Sequence, residues 1–279
     1  MRFILYSTLS VLLISCGSAR PPPPPITYAS PVVAKQEINI TDTNVKFEDT
    51  DRYDWTDTRP WRYPIHGIDV SKYQGDIDWV MARQSGVNFA FIKATEGSDH
   101  VDEKFAVNWK AAGEAEVLRG AYHFYYFCRT ATEQADWFIQ NVPNDPKALP
   151  PVLDMEWNHA SRTCRYRPSP AQVRHEIMVY LDRLTAHYGK RPIIYVTPDF
   201  YKENHLSRIK GYHFWLRSVA NHPRAIYHGQ QWAFWQYSST GVIPGIEGSV
   251  DTNVYSGSIS TWREWIDLNT EQKALSLDG

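Results

Sequence analysis

The sequence predicts an α/β fold closed into an irregular barrel and built as one domain. Three observations carry that prediction. Short apolar runs alternate with helix-period runs from about residue 65 onward. Eight apolar runs can be counted, enough to close a sheet on itself. Helix signals are strong between the first five runs and weak between the last three.

The first strand covers residues 66–70. Residues 77–81 open a helix that Gly86 stops. Residues 88–94 (NFAFIKA) form a second strand, apolar on both faces as buried parallel strands are. Residues 102–116 carry helical period through Phe105, Trp109 and Ala112. Residues 120–126 are the third strand. Thr130 and Glu133 make a capping box for a helix that runs through Phe138 and Ile139. Residues 152–156, behind Pro150 and Pro151, are the fourth strand. Ser169 and Pro170 open the longest helix. Its apolar face is Val173, Ile177, Tyr180, Leu181 and Leu184, and Gly189 ends it. Residues 192–196 are the fifth strand. Residues 214–216, 233–237 and 249–254 supply three more, joined mainly by loops. The expected class is α/β, an irregular TIM-like barrel of the (β/α)5(β)3 kind, with no internal repeat.

The flanks read differently. In residues 1–19, Arg2 precedes a short apolar run over 3–14 that is too short to span a bilayer as a helix. It ends Leu13-Ile14-Ser15-Cys16, which reads as a lipobox with Cys16 as the lipidation site. Gly17-Ser18-Ala19 is a competing cleavage site. Either implies export, to the periplasm or cell envelope, and the first also implies a membrane anchor through lipid. Residues 20–60 read as spacer and tether: Pro21 to Pro25 favour stiff polyproline, and the polar remainder has room for one strand. The domain is expected over 61–270, with a tail over 271–279. A net charge of -2 gives no basic footprint for nucleic acid. Removing Cys16 leaves Cys128 and Cys164, and two cysteines in an exported chain suggest one disulfide. Two unpaired buried thiols are the alternative. A monomer is expected.

The candidate chemistry lies at strand ends. Asp154 and Glu156 sit two apart on one strand and so point to one face. Neighbouring acids push each other's pKa values apart, which suits one to donate a proton while the other stays ionised. Barrel active sites lie at the C-terminal strand ends, where Asp69 and Asp251 also fall. Alone, Asp69 reads equally well as a cap and Asp251 as an Asx turn. With 11 Trp and 17 Tyr, the chain has aromatic faces to spare for sugar rings as well as for core. Tyr122, Phe124, Tyr195, Trp215, Gln236 and Tyr237 fall at the same ends. Lys93 and Glu96 do too, either as substrate contacts or as a salt bridge. His66 and His123 read as core or supporting residues. No Ser-His-Asp order and no metal-type Cys/His spacing stand out, so no metal or cofactor is expected.

These residues resemble the glycoside hydrolase family 25 lysozymes, the Chalaropsis-type N-acetylmuramidases. The matching blocks are HGIDVSKYQG over 66–75 with Ile77-Asp78-Trp79, FIKATEG over 91–97, GAYHF over 120–124, LDME over 153–156, WQYS over 235–238, and Val250-Asp251. They span about 65–257. The resemblance implies a single catalytic barrel that cleaves the β-1,4 bond between N-acetylmuramic acid and N-acetylglucosamine in peptidoglycan. It implies Glu156 as general acid. It gives Asp154 one of two roles: stabilising positive charge on the sugar, or orienting the substrate's own N-acetyl group. Asp69 and Asp251 would tune that pair and bind substrate. The N-terminal segment and the Cys128/Cys164 pair depart from the family pattern. Two readings from other classes remain, a non-catalytic peptidoglycan-binding module and an envelope scaffold.

Overall fold

The structure is a computed structural model and describes residues 47–270. The signal and lipobox region with Cys16, the polyproline run and the tail over 271–279 lie outside the described residues. In chain order the elements are β1 (Glu48–Asp49), β2 (His66–Val70), α1 (Trp79–Gln84), β3 (Val87–Glu96), β4 (His100–Val101), α2 (Phe105–Glu114), β5 (Leu118–Phe124), α3 (Ala131–Asn141) and β6 (Val152–Met155). They continue as α4 (Pro170–Tyr188), β7 (Ile193–Val196), α5 (Pro198–Glu203), β8 (His213–Arg217), α6 (Pro223–Ile226), β9 (Phe234–Val242), β10 (Val250–Tyr255) and α7 (Ile259–Thr270).

Eight of the strands close a barrel in the order β2-β3-β5-β6-β7-β8-β9-β10, and β10 returns to β2. The first seven run parallel. β10, which follows one of the loop-joined connections, is antiparallel to both neighbours. A short connection across 243–249 explains it: a parallel return needs a crossover of a dozen or more residues. The reversal brings the start of β10 to the same end as the finish of β2, and Asp251 pairs with Asp69.

Strand alternation sorts the side chains into two layers. Phe89, Phe91, Val152, Ile193, Tyr195, Trp215 and Phe234 fill the barrel interior. Ile68, Ala90, Ile92, Leu153, Met155, Ile194, Val196 and Leu216 face outward under the helices. The expected capping box at Thr130 and Glu133 forms on α3. Ser169 caps α4, Pro170 is its first residue, and Gly189 ends it in the left-handed region at φ 66°. Among the described residues no helix is long and apolar enough to cross a membrane.

Three features were not foreseen. Residues 47–60, read as the end of the tether, pack on the barrel: β1 pairs with β9, and Trp55 is buried edge-on against Trp235. β4 folds back on β3 as an antiparallel hairpin. The amphipathic helix α7 closes the end of the barrel opposite the acids, where Trp262 and Trp265 pack on Phe234 and Tyr255. Burying each indole there contributes roughly 2–3 kcal/mol.

Candidate active site

The C-terminal ends of the parallel strands carry Asp69 on β2, Lys93 on β3, Tyr122 and Phe124 on β5, Asp154 on β6 with Glu156 just beyond, Tyr195 on β7 and Arg217 on β8, and Gln236, early in the long β9, pairs with Arg217 at the same mouth. The reversed β10 adds Asp251 and Asn253. Alternation turns all of these inward. Asp69 and Asp154 are buried, and Glu156 and Asp251 are partly buried.

A hydrogen-bonded network fixes Asp69. Its Oδ2 accepts from Asn253 Nδ2 at 2.7 Å and from Gln236 Nε2 at 2.9 Å. Tyr195 donates its hydroxyl to Gln236 Oε1 at 2.9 Å, and Trp215 donates its indole N–H to Asn253 Oδ1 at 2.7 Å. Each amide is thereby oriented by one neighbour to donate to the carboxylate. Asp154 differs: no protein donor among the described residues reaches its buried Oδ1.

The four acids share a direction of shift. Burial raises Asp69 well above the usual carboxylate range, and the Asp251 charge adds to it. Burial also raises Asp154, reinforced by Glu156. Burial raises Glu156, against the opposing pull of Arg217. Asp251 is pushed up to about 6 by burial, with Arg217 and a hydrogen bond from Asp69 acting the other way. The cluster therefore retains protons that exposed acids would lose, as proton donation requires. Lys93 forms an ion pair with Glu96 at 2.6 Å and lies 4.9 Å over the Phe124 ring. Burial works to raise Glu96, but the hydrogen bond and charge of Lys93 outweigh it and hold Glu96 low.

The aromatic expectations divide. Burial raises the Tyr122 hydroxyl, and the charges of Asp69, Asp154 and Asp251 raise it further, which keeps it protonated among the acids. Tyr195 and Trp215 lie beneath the acids as floor, 6% and 2% exposed, with no open face for a sugar. Phe91 packs on Trp215 at 4.5 Å. Tyr237 is corrected: next to inward Gln236 it must point outward, and it packs against Trp235 and His66 on the outer wall. His66 lies on that wall. His123 is fully buried, stacks on Tyr180, and is pulled down to about 3 by burial. Neither faces the acids.

Two polar residues were missed. Arg217 is two positions beyond Trp215 on the same strand face, so alternation alone would have found it. Asn253 lies in the strand read over 249–254, two positions beyond Asp251 on the same face. The disulfide forms: Cys128 and Cys164 are bridged, with Cα atoms 5.7 Å apart, tying the loop after β5 to the loop after β6. Among the described residues no group of three His, Cys, Asp or Glu is placed to hold a metal ion.

The chain is similar to known proteins over most of its length. The family described as "Glycosyl hydrolases family 25" matches residues 68–246, more than half of the chain. An uncharacterized protein of Escherichia coli (strain K12), YegX, is 37% identical over 213 residues, 75% of each chain. Lysozyme M1 of Streptomyces globisporus is 36% identical over 204 residues, covering 70% of this chain and 68% of that one. A solved family 25 glycosyl hydrolase from Bacillus anthracis superposes with a TM-score of 0.70 at 36% identity, over 78% of this chain and 98% of that one. With its barrel, its inward acids and these relatives, the chain belongs to glycosyl hydrolase family 25.

Proposed function

We propose that this chain is a lysozyme-type peptidoglycan hydrolase that cuts between N-acetylmuramic acid and N-acetylglucosamine, with Glu156 as proton donor. The observation that carries the reading is the set of four inward carboxylates at one mouth, all shifted toward their protonated forms. Family membership and the complete acid set favour an enzyme over a binding module.

Cleavage needs a proton for the leaving oxygen and stabilisation of an oxocarbenium-like centre. Glu156 gives its proton to the leaving oxygen as the bond to C1 breaks, and recovers one from the water that adds to C1. Asp154 accepts the N–H of the acetamido group and so aligns the acetamido oxygen behind C1. Asp69 and Asp251, on β2 and β10, act on the pair from the other side of the barrel mouth. Tyr122 and Phe124 line the sugar path.

The test is digestion of purified peptidoglycan, reduction with borohydride, and mass spectrometry of the products. New reducing ends on muramic acid are expected. Reducing ends on glucosamine, or intact glycan, would overturn the assignment.

Such a substrate lies outside the cytoplasm. The apolar run over 3–14 and the sequence before Cys16 support export with lipidation of Cys16, and the polyproline run supports a stand-off from the membrane. Metabolic labelling with a fatty-acid analogue tests this: label on wild type and none on Cys16→Ala is the expected pair.

A further inference from the structure

We infer that the loop after β6 carries a carboxylate-binding subsite, centred on Arg165, that recognises the acidic substituent of muramic acid. This deepens the muramidase reading and rests on it. Residues 157–168 contain Arg162, Arg165 and Arg167 and no Asp or Glu, in a chain whose net charge is -2. The positive charge is thus concentrated on the segment that leaves the acid pair. A cavity of about 190 Å³ runs from Glu156 to Arg165, Tyr166 and Arg167.

The loop is built to hold its shape. The bridge from Cys164 to Cys128 anchors it to the loop after β5. Ser161 Oγ accepts from the Cys164 N–H at 2.9 Å and the Thr163 N–H at 3.3 Å. Arg167 is already occupied: it stacks 4.7 Å over Trp157, meets His159 at 2.8 Å and lies 3.9 Å from Glu203. Arg165 is differently placed. Its Nε donates to the Ser161 carbonyl at 3.0 Å, which orients the guanidinium, and no carboxylate pairs with it among the described residues. An oriented guanidinium with both terminal nitrogens available is a fork for a carboxylate. Muramic acid carries such a group, as its free lactyl carboxylate or as the carboxylates of an attached peptide. A neutral glycan offers such a guanidinium hydrogen-bond acceptors but no charge to pair with.

The test compares wild type with Arg165→Gln and Arg165→Lys, and with Arg263→Gln, an exposed arginine on α7 at the far end, as charge-matched control. The substrates are native peptidoglycan, amidase-denuded glycan strands, and peptidoglycan whose carboxylates are amidated through carbodiimide. On native wall, Arg165→Gln is expected to raise KM about fivefold with kcat held, and to lessen the salt dependence of kcat/KM. Arg165→Lys recovers only part, because a point charge does not replace the fork. The KM gap closes on amidated wall. A gap on denuded strands, where amide cleavage frees the lactyl carboxylate, assigns that group, and a gap on native wall that is lost on denuded strands assigns the peptide. Equal KM for wild type and Arg165→Gln on both native wall and denuded strands, or an equal loss on amidated wall, overturns the subsite. A shifted pH optimum on every substrate also overturns it, since that marks an effect on Glu156. Co-sedimentation of Glu156→Gln with the wall, with and without Arg165→Gln, reads the subsite independently of turnover. If wild type cuts no substrate, the muramidase reading fails while this measurement still decides on Arg165.

Discussion

Replacing Asp251 by Asn should stabilise the protein at neutral pH while impairing it as an enzyme. Asp251 has an ordinary value of 3.8 and is pushed up to about 6 in the fold, mainly by burial. Below the lower value the carboxyl is neutral in both folded and unfolded chains, and its ionisation costs nothing. As pH rises through the folded value, the folded chain must ionise a group that the unfolded chain ionised earlier. Stability is therefore lost between about pH 4 and pH 6, by about 3 kcal/mol for a shift of this size. Asn carries no charge at any pH and escapes that loss. It keeps a carbonyl to accept from Asp69, whose own raised value relaxes once the Asp251 charge is gone. The assay is urea unfolding of wild type and Asp251→Asn at pH 3.5 and pH 7.5. The two should be alike at the lower pH, with the variant ahead by about 3 kcal/mol at the higher. A variant that is less stable at pH 7.5, or a gap that does not change with pH, would refute the reasoning.

Other consequences can be checked as directly. Asn253→Ala removes the donor at 2.7 Å from Asp69 and leaves the buried Trp215 N–H without its acceptor. Unfolding should show a loss of about 2–4 kcal/mol, and the acid limb of the pH–rate profile should move up as Asp69 loses a bond that lowers it. Replacing Cys128 and Cys164 together by Ser opens a loop of 36 residues. Chain entropy predicts a loss of about 3–4 kcal/mol, read as a melting point lower by about 10 °C that a reductant no longer affects.

Much of the barrel is legible because buried parallel strands are written as apolar runs. FAFIKA on β3 and PVLDM on β6 admit no other comfortable placement. The acids are legible for a related reason: a charged residue ending such a run must sit at the mouth. Tyr237 shows the limit of that reasoning. It was read as ending a strand over 233–237, but β9 runs on to Val242, and one residue of register separates Gln236 inside from Tyr237 outside. Arg217 was missed although Trp215 already fixed the face. The helix α7 was missed because it follows the last strand. Its period in Trp262, Trp265 and Ile266, behind Ser258, whose Oγ caps the Thr261 N–H, was present in the sequence. Residues 47–60 were hidden by composition, since polar chain that packs by a few aromatics such as Trp55 looks like tether.

The central claim is that Glu156 delivers the proton, and Glu156→Gln tests it most directly. The measurement is the rate at which muramic acid reducing ends appear from purified peptidoglycan, beside co-sedimentation of the same protein with the wall. A fall of about 10²–10⁴-fold in rate, with binding retained, is the predicted result. A variant that releases the same ends at a wild-type rate would contradict it and move the proton to another member of the cluster.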